Sequence, residues 1–268
     1  MKNILVYLKN VDESKEIFTS AMHLAKHHKA KLCCLYINDW PDQIHAVDSM
    51  PWPSTIDKIK KRCDEEENEL KKWFDTTIKL KKISVDWCRE EGSRDYYINI
   101  YSRYFDITIF SKSSLYMAQN ALLNSGRPIL LLPEKCESIM SGERIMVAWY
   151  AYRREAARAL NDSFPLLKQA KYVEIVTIGK PDQETTKLEL GKYGIVENLL
   201  KRNIKAKRVN IKIKHDKTGE ILLTHAKENK FDLIVMGAYG HSRLSEIILG
   251  GTTQYMMNNS QIPLLMSH

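Results

Sequence analysis

Apolar residues along this chain gather in short unbroken runs, and between the runs they recur at helical spacing. The strands read from this pattern fall at 3–8, 31–37, 83–88, 106–111 and 128–132, then at 144–149, 172–178, 206–213, 232–236 and 263–267. Continuous apolar character over so few residues predicts strands covered on both faces, as in parallel sheets. The stretch "DESKEIFTSAMHLAKHHKA" predicts a helix with Asp12 as N-cap, acids in its first turn and basic residues near its end. Residues 54–80 read as a long charged helix laced with i,i+4 pairs. The segment 39–53, with Pro41, Pro51 and Pro53, reads as a loop. Strands alternating with helices imply right-handed crossovers and a doubly wound α/β sheet.

The pattern occurs twice. "NILVYL" opens the first half and "RIMVAW" the second; "YFDITIF" answers "KFDLIVM", and "RPILLLP" answers "IPLLMSH". In the second half "REAARALNDSFPLLKQA" takes the place of the first helix. The expected architecture is two tandem doubly wound domains, 1–138 and 142–268, each with a five-stranded parallel sheet flanked by helices. "EKCESIMSGE" joins them. The copies differ at one place. Asp106 to Pro128 spans 22 residues and Asp232 to Pro263 spans 31, so the second copy carries nine more residues between its last two strands.

Those residues belong to "MGAYGHSRLSEIILGGTT", Met236–Thr253, which holds four of the chain's 11 glycines. In an open parallel sheet, ligands bind beyond the carboxyl ends of the strands, where the strand order reverses. Gly237 and Gly240, directly after the strand, can take backbone angles closed to other residues and let a ligand approach the main chain. Leu244, Ile247 and Ile248 stand at helical spacing, and Gly250, Gly251, Thr252 and Thr253 precede a further helical pattern. Exposed amides, two hydroxyls and a helix N-terminus together suit phosphate. The competing reading is that the glycines serve tight turns alone. An isolated "GKYG" at 191–194 is best read that way.

The spacing G-xx-G, nine residues, then G with a following Ser or Thr resembles the universal stress protein family. Gly237, Gly240 and Gly250 fit it, and the likeness extends over both halves. The resemblance implies an adenine nucleotide alpha hydrolase-like fold. It implies ATP or another adenine nucleotide, with or without Mg, held by the second domain acting as a binder or sensor in stress tolerance. Phosphate contacts would come from Gly240, Gly250, Gly251, Thr252 and Thr253; apart from the resemblance, His241 and Arg243 read either as further phosphate contacts or as a solvated helix start. Met236, Gly237 and Tyr239 would flank ribose and base. Two departures stand out. Gly251 occupies the position of the hydroxyl residue. The adenine-facing Asp of ATP-binding relatives is missing from "VAWYAYRREA", where Tyr150 stands instead as a stacking candidate and no acid occurs before Glu155. The first copy has no glycine before Gly126 in its last loop, so it is expected not to bind nucleotide. Its expected role is to pack against the second domain as an internal pseudo-dimer around Ile129, Leu131, Leu264 and Met266; a homodimer of chains stays open.

Charge and special residues narrow the alternatives. The net charge of +8 sits in the second half: residues 141–268 hold 20 Lys+Arg against 13 Asp+Glu, whereas residues 1–140 hold 21 against 20. An anionic partner there is consistent with this. The basic run "KRNIKAKRVNIKIKHDK" lacks the aromatic interleaving of single-strand binders, which argues against nucleic acid. A basic nucleic-acid-associated protein and a scaffold without nucleotide remain the rival readings. The five cysteines include no CxxC, and Cys33 and Cys34 are neighbours on one strand facing opposite sides, so no metal site is expected. Among eight histidines only His241 lies in the candidate loop. No HExxH, Walker A, GxSxG or GxGxxG motif occurs, so no catalytic residue is assigned and ATP hydrolysis, if present, would be slow. No run approaches membrane-spanning length, and a cytoplasmic protein is expected.

Overall fold

The structure is a computed structural model describing residues 1–45, 52–81, 84–134, 142–150, 153–179, 191–211, 217–239 and 251–268. The chain divides into two compact units, Met1–Arg127 and Pro128–His268. In the first, β1 (Asn3–Leu8), α1 (Val11–His28), β2 (Lys31–Asn38), α2 (Trp40–His45), α3 (Pro53–Lys81), β3 (Asp86–Glu91), α4 (Arg94–Ser102), β4 (Ile107–Ser111), a single 3-10 turn (Lys112–Ser114) and α5 (Leu115–Asn124) follow one another. The second contains β5 (Ile129–Leu132), β6 (Arg144–Ala148), α6 (Arg154–Leu167), β7 (Tyr172–Ile178), α7 (Ile195–Lys201), β8 (Ala206–Ile211), α8 (Thr218–Glu228), β9 (Leu233–Gly237), α9 (Gly251–Asn259) and β10 (Leu264–Ser267).

Within the first unit the strand order is β3-β2-β1-β4, all parallel. Within the second it is β5-β10-β9-β6-β7-β8, parallel except at β5. β1 lies between β2 and β4, and β6 likewise lies between β7 and β9, so in each copy the opening strand is inside the sheet with its successor on one side and the copy's fourth strand on the other. That reversal of direction makes the fold doubly wound. β5 ends the first copy in sequence but belongs to the second unit, because it pairs antiparallel with β10. Leu131 faces Leu264, Leu130 faces Leu265 and Ile129 faces Met266. All of these side chains are buried.

The central strands β1, β2, β4, β6 and β9 are buried almost throughout, which is why they read as unbroken apolar runs. The cover of the first sheet is aromatic. Phe18 of α1 meets Trp73 and Phe74 of α3 edge-on, and Phe74 lies 4.8 Å from Trp87 of β3 between ring centroids. The charged α3 thus buries a stripe, Cys63, Leu70 and Phe74, while Lys61–Glu65 and Lys71–Asp75 pair on its surface.

Three sequence expectations are corrected. The N-cap of α1 is Asn10, whose side chain accepts the Glu13 N–H at 2.9 Å; Asp12 lies inside the first turn. The segment 39–53 is not all loop, since α2 occupies 40–45. The third strand runs Asp86–Glu91 rather than 83–88. It lies at the edge of the sheet, so Arg89, Glu90 and Glu91 can remain at the surface, where Arg89 bridges Glu67 and Glu91. A search for continuous apolar runs therefore places this strand too early.

The repeated Phe-Asp pair has a structural explanation. Asp106, at the start of β4, accepts the N–H groups of Lys2 and Asn3. Asp232, at the start of β9, accepts those of Glu143 and Arg144 at 2.9 and 3.0 Å. Each carboxylate clasps the beginning of the strand next to it. Burial alone would raise the Asp106 pKa, but the two backbone donors outweigh it and hold the carboxyl below its usual range. A depressed carboxylate contributes stability that is complete above the unfolded-state pKa and fades as pH falls through the folded-state value. Asp106→Asn is therefore expected to cost about 1–2 kcal/mol at pH 7 and progressively less below about pH 4, measured by urea unfolding across pH. An equal cost at pH 3 and pH 7 would refute the clasp.

Candidate functional site

In the second unit the strand order reverses between β6 and β9, and a crevice opens beyond their carboxyl ends. Its cavity measures about 640 Å³, inside the roughly 300–1,000 Å³ range of small-molecule sites. Ala148, Trp149 and Tyr150 enter it from the end of β6, and Val176 and Ile178 from β7. Met236, Gly237 and Tyr239 come from β9, Arg153 and Glu155 from the start of α6, Thr218 and Leu222 from α8. Gly251, Thr252 and Thr253 form the first turn of α9 and close the far side.

The floor is apolar and the rim polar. Trp149 prolongs the β6–β7 ladder by donating its N–H to the Val176 carbonyl at 2.8 Å, which fixes where the chain leaves the sheet. Tyr150 is 49% exposed at the rim, with the Arg153 guanidinium 5.9 Å from its ring centre. Arg153 brings positive charge into the crevice. α9 presents the amides of its first turn, which carry the partial positive charge of a helix N-terminus. Glu155 is buried; burial would raise its pKa, but hydrogen bonds from Arg154 and from its own backbone N–H keep the carboxyl low.

Tyr239 has a left-handed backbone, with φ of 57°. Such a conformation in a bulky residue is strained and persists only where its surroundings impose it. Here the Thr253 hydroxyl accepts the Tyr239 N–H at 3.2 Å, and the Tyr239 hydroxyl reaches the Met257 sulfur. Both tie the exit of β9 to α9. Burial pushes the Tyr239 phenol pKa up to about 12, so it stays protonated at neutral pH.

Gly237 is required for a reason the sequence did not disclose. Its φ does not lie in the left-handed region. Instead, a Cβ at this position would stand 2.5 Å from the Ala156 nitrogen and the Glu155 carbonyl carbon, and 2.8 Å from the Glu155 oxygen. The bare backbone lets the start of α6 sit directly on β9, and this seats Arg153 and Glu155 at the crevice.

Seven of the ten expected site residues, Tyr150, Met236, Gly237, Tyr239, Gly251, Thr252 and Thr253, therefore line one cavity. Gly240, Arg243 and Gly250 lie outside the described residues, as do His241, Leu244, Ile247 and Ile248. Thr253 is buried and engaged with Tyr239, which leaves Thr252 as the more accessible hydroxyl. Arg153, Glu155, Thr218 and Leu222 were not anticipated. The first two could have been: the turn after a strand at a reversal point leads into a helix whose first residues face the crevice. Thr218 and Leu222 carried no local signal.

In the first unit, the start of α1 and the turn after β4 meet through Glu13. Glu13 accepts from Lys9 at 3.2 Å, from the Asn10 side chain at 3.1 Å and from the Ser114 hydroxyl at 3.0 Å. Burial would raise its pKa, but the serine hydroxyls and Lys9 hold it low. Among the described residues, no group of three His, Cys, Asp or Glu is placed to hold a metal ion, and no helix is long and apolar enough to cross a membrane.

Comparison with known proteins agrees with this architecture. Residues 149–268 match the Universal stress protein family. Universal stress protein Slr1230 from Synechocystis sp. is 24% identical over a 294-residue alignment that covers 99% of each chain. The crystal structure of a universal stress protein from Archaeoglobus fulgidus superimposes with a TM-score of 0.69 at 15% identity, over 98% of this chain and 95% of that one. A functionally unknown protein from Pseudomonas aeruginosa PAO1 gives 0.61 at 12% identity, over 100% and 92%.

Proposed function

We propose that this chain, a two-domain member of the universal stress protein family, binds an adenine nucleotide in its second unit. The family's role is stress response, and the chain would serve it as a binder or sensor. The observation that carries this reading is the position of the cavity: it lies at the strand-order reversal and is closed by the first turn of α9. The residues present fit the ligand. Phosphates would sit on the amides of Gly251 and Thr252, where the helix dipole favours negative charge, with Arg153 also lining the crevice. The base would lie towards Trp149 and Tyr150, whose rings offer a stacking surface. Glu155 is the acid nearest the position where ATP-binding relatives carry Asp.

The first unit would not bind nucleotide, because Glu13 already occupies the hydrogen-bond donors of Lys9, Asn10 and Ser114. The two units would act as an internal pair in which one holds the ligand.

Thr252→Glu tests the phosphate position without threatening the fold. An acid in the first turn of a helix is stabilising, by about 0.3–1 kcal/mol, yet it would repel phosphate. Calorimetry with ATP is expected to show affinity reduced at least 30-fold, with an unchanged or slightly higher melting temperature. Parent-like affinity would remove phosphate from this end of α9.

A further inference from the structure

The first unit contains a thiol pair remote in sequence from every residue of the nucleotide crevice. Cys33 on β2 and Cys88 on β3 point to the same face of the sheet: Leu35 is the register partner of Cys88, and Cys33 lies two residues before Leu35. Their sulfurs stand 2.8 Å apart, closer than ordinary van der Waals contact. A disulfide bond of about 2.05 Å needs them to close by only about 0.8 Å. β3 is the edge strand and is held on one side, so it can move towards β2 without breaking a second ladder. Cys33 is buried, whereas Cys88 is half-buried and so within reach of a small oxidant. Cys34 faces the opposite side of the sheet, and Cys63 lies on α3, so neither occupies this spot.

We propose that Cys33 and Cys88 form a reversible disulfide on exposure to a peroxide, which makes this strand pair a redox-modification site. The Cys88 thiol gives its proton to solvent and the thiolate attacks one oxygen of hydrogen peroxide; the O–O bond breaks, Cys88 becomes a sulfenic acid, and the departing hydroxide takes a proton back from solvent to leave as one water. The Cys33 sulfur then attacks the sulfenic sulfur, gives up its proton and expels a second water. Two thiols lose two electrons, and the peroxide is reduced to two waters. Cys88 reacts first because burial and the neighbouring Cys88 sulfur push the Cys33 pKa up, and the thiol form is a poor nucleophile. A dithiol reductant reverses the reaction by thiol–disulfide exchange. The bond would fasten the edge strand to its neighbour and close a loop between positions 55 apart in sequence, which restricts the unfolded chain.

The experiment uses the full chain, treated with hydrogen peroxide and digested without reduction. Peptide mass mapping is expected to show the Cys33 and Cys88 peptides joined, two hydrogens lighter than the free pair. The melting temperature is expected to rise by roughly 5–10 °C and to return after dithiothreitol. Cys88→Ser, at a half-buried position, should fold and lose both the link and the rise. Cys33→Ser should do the same and serves as a second control. If peroxide takes Cys88 to sulfinic acid, or joins it to another cysteine, with no Cys33–Cys88 link, the proposal is overturned. A melting rise that persists in Cys88→Ser overturns it equally.

Discussion

Gly237→Val is expected to unfold the second unit at a markedly lower temperature and to abolish nucleotide binding. The new side chain would drive into the Ala156 nitrogen and the Glu155 carbonyl group, both main-chain atoms at the start of α6. A flexible side chain could rotate away; a helix backbone cannot. Forced overpacking of this kind costs about 1–3 kcal/mol and sometimes more, or a fall of roughly 5–12 °C for a unit of this size. The displaced α6 would take Arg153 and Glu155 with it, so binding should fail even in the cold, where the unit is still folded. Gly237→Ala should show the same defects at smaller amplitude. The comparison is Gly251→Ala, where a Cβ meets nothing within 4 Å. If Gly237→Val melts with the parent, the close packing of α6 on β9 is wrong.

Leu264→Asp should be more damaging still. Leu264 is 1% exposed and lies between Leu131 on one side and Ile234 on the other. A carboxylate there has no counter-charge, and leaving it buried costs several kcal/mol, a large part of the stability of an ordinary domain. The group would ease this by staying protonated, so its folded-state pKa would rise above the unfolded value. A carboxyl raised in the folded state loses stability as pH increases, so the variant should be worse at pH 7.5 than at pH 5. Leu264→Met, which keeps volume and polarity, should cost less than about 1.5 kcal/mol. Thermal unfolding at the two pH values decides: a Leu264→Asp protein melting like the parent at pH 7.5 would mean that β10 is not enclosed between β5 and β9.

Most of the architecture was legible because parallel strands covered on both faces write themselves as unbroken apolar runs. β1, β2, β4, β6, β7 and β9 emerged within a residue or so of their true ends. β3 did not, because an edge strand can carry Arg89 and Glu90 and so leaves no such run. The end of β9 and the start of α9 were marked in the sequence by Gly237 and by the Gly251-Thr252-Thr253 run. The reason for Gly237 was not. A glycine needed for a close approach looks the same in sequence as one needed for an unusual backbone angle, and the difference lies in Glu155 and Ala156, about 80 positions away. Thr218 and Leu222 were hidden for a related cause: the sheet order, not any local pattern, brings α8 to the crevice. The antiparallel β5–β10 pair shows what repetition can signal. Two matching apolar tails announced strands that needed partners, and Leu131 and Leu264 meet as neighbours.

The strand order also sets a timetable for synthesis. β1 lies between β2 and β4, and the clasp at its start joins residues 103 positions apart. At about 5–20 residues per second, the ribosome takes roughly 5–20 s to deliver Asp106 after Asn3 has been made. Throughout that interval one edge of a strand apolar from Ile4 to Leu8 has no neighbour, a state open to mispairing. β5 waits longer, since its partner β10 is the last strand translated. The nascent chain therefore passes two periods of exposed strand edge, and chaperone demand should concentrate there.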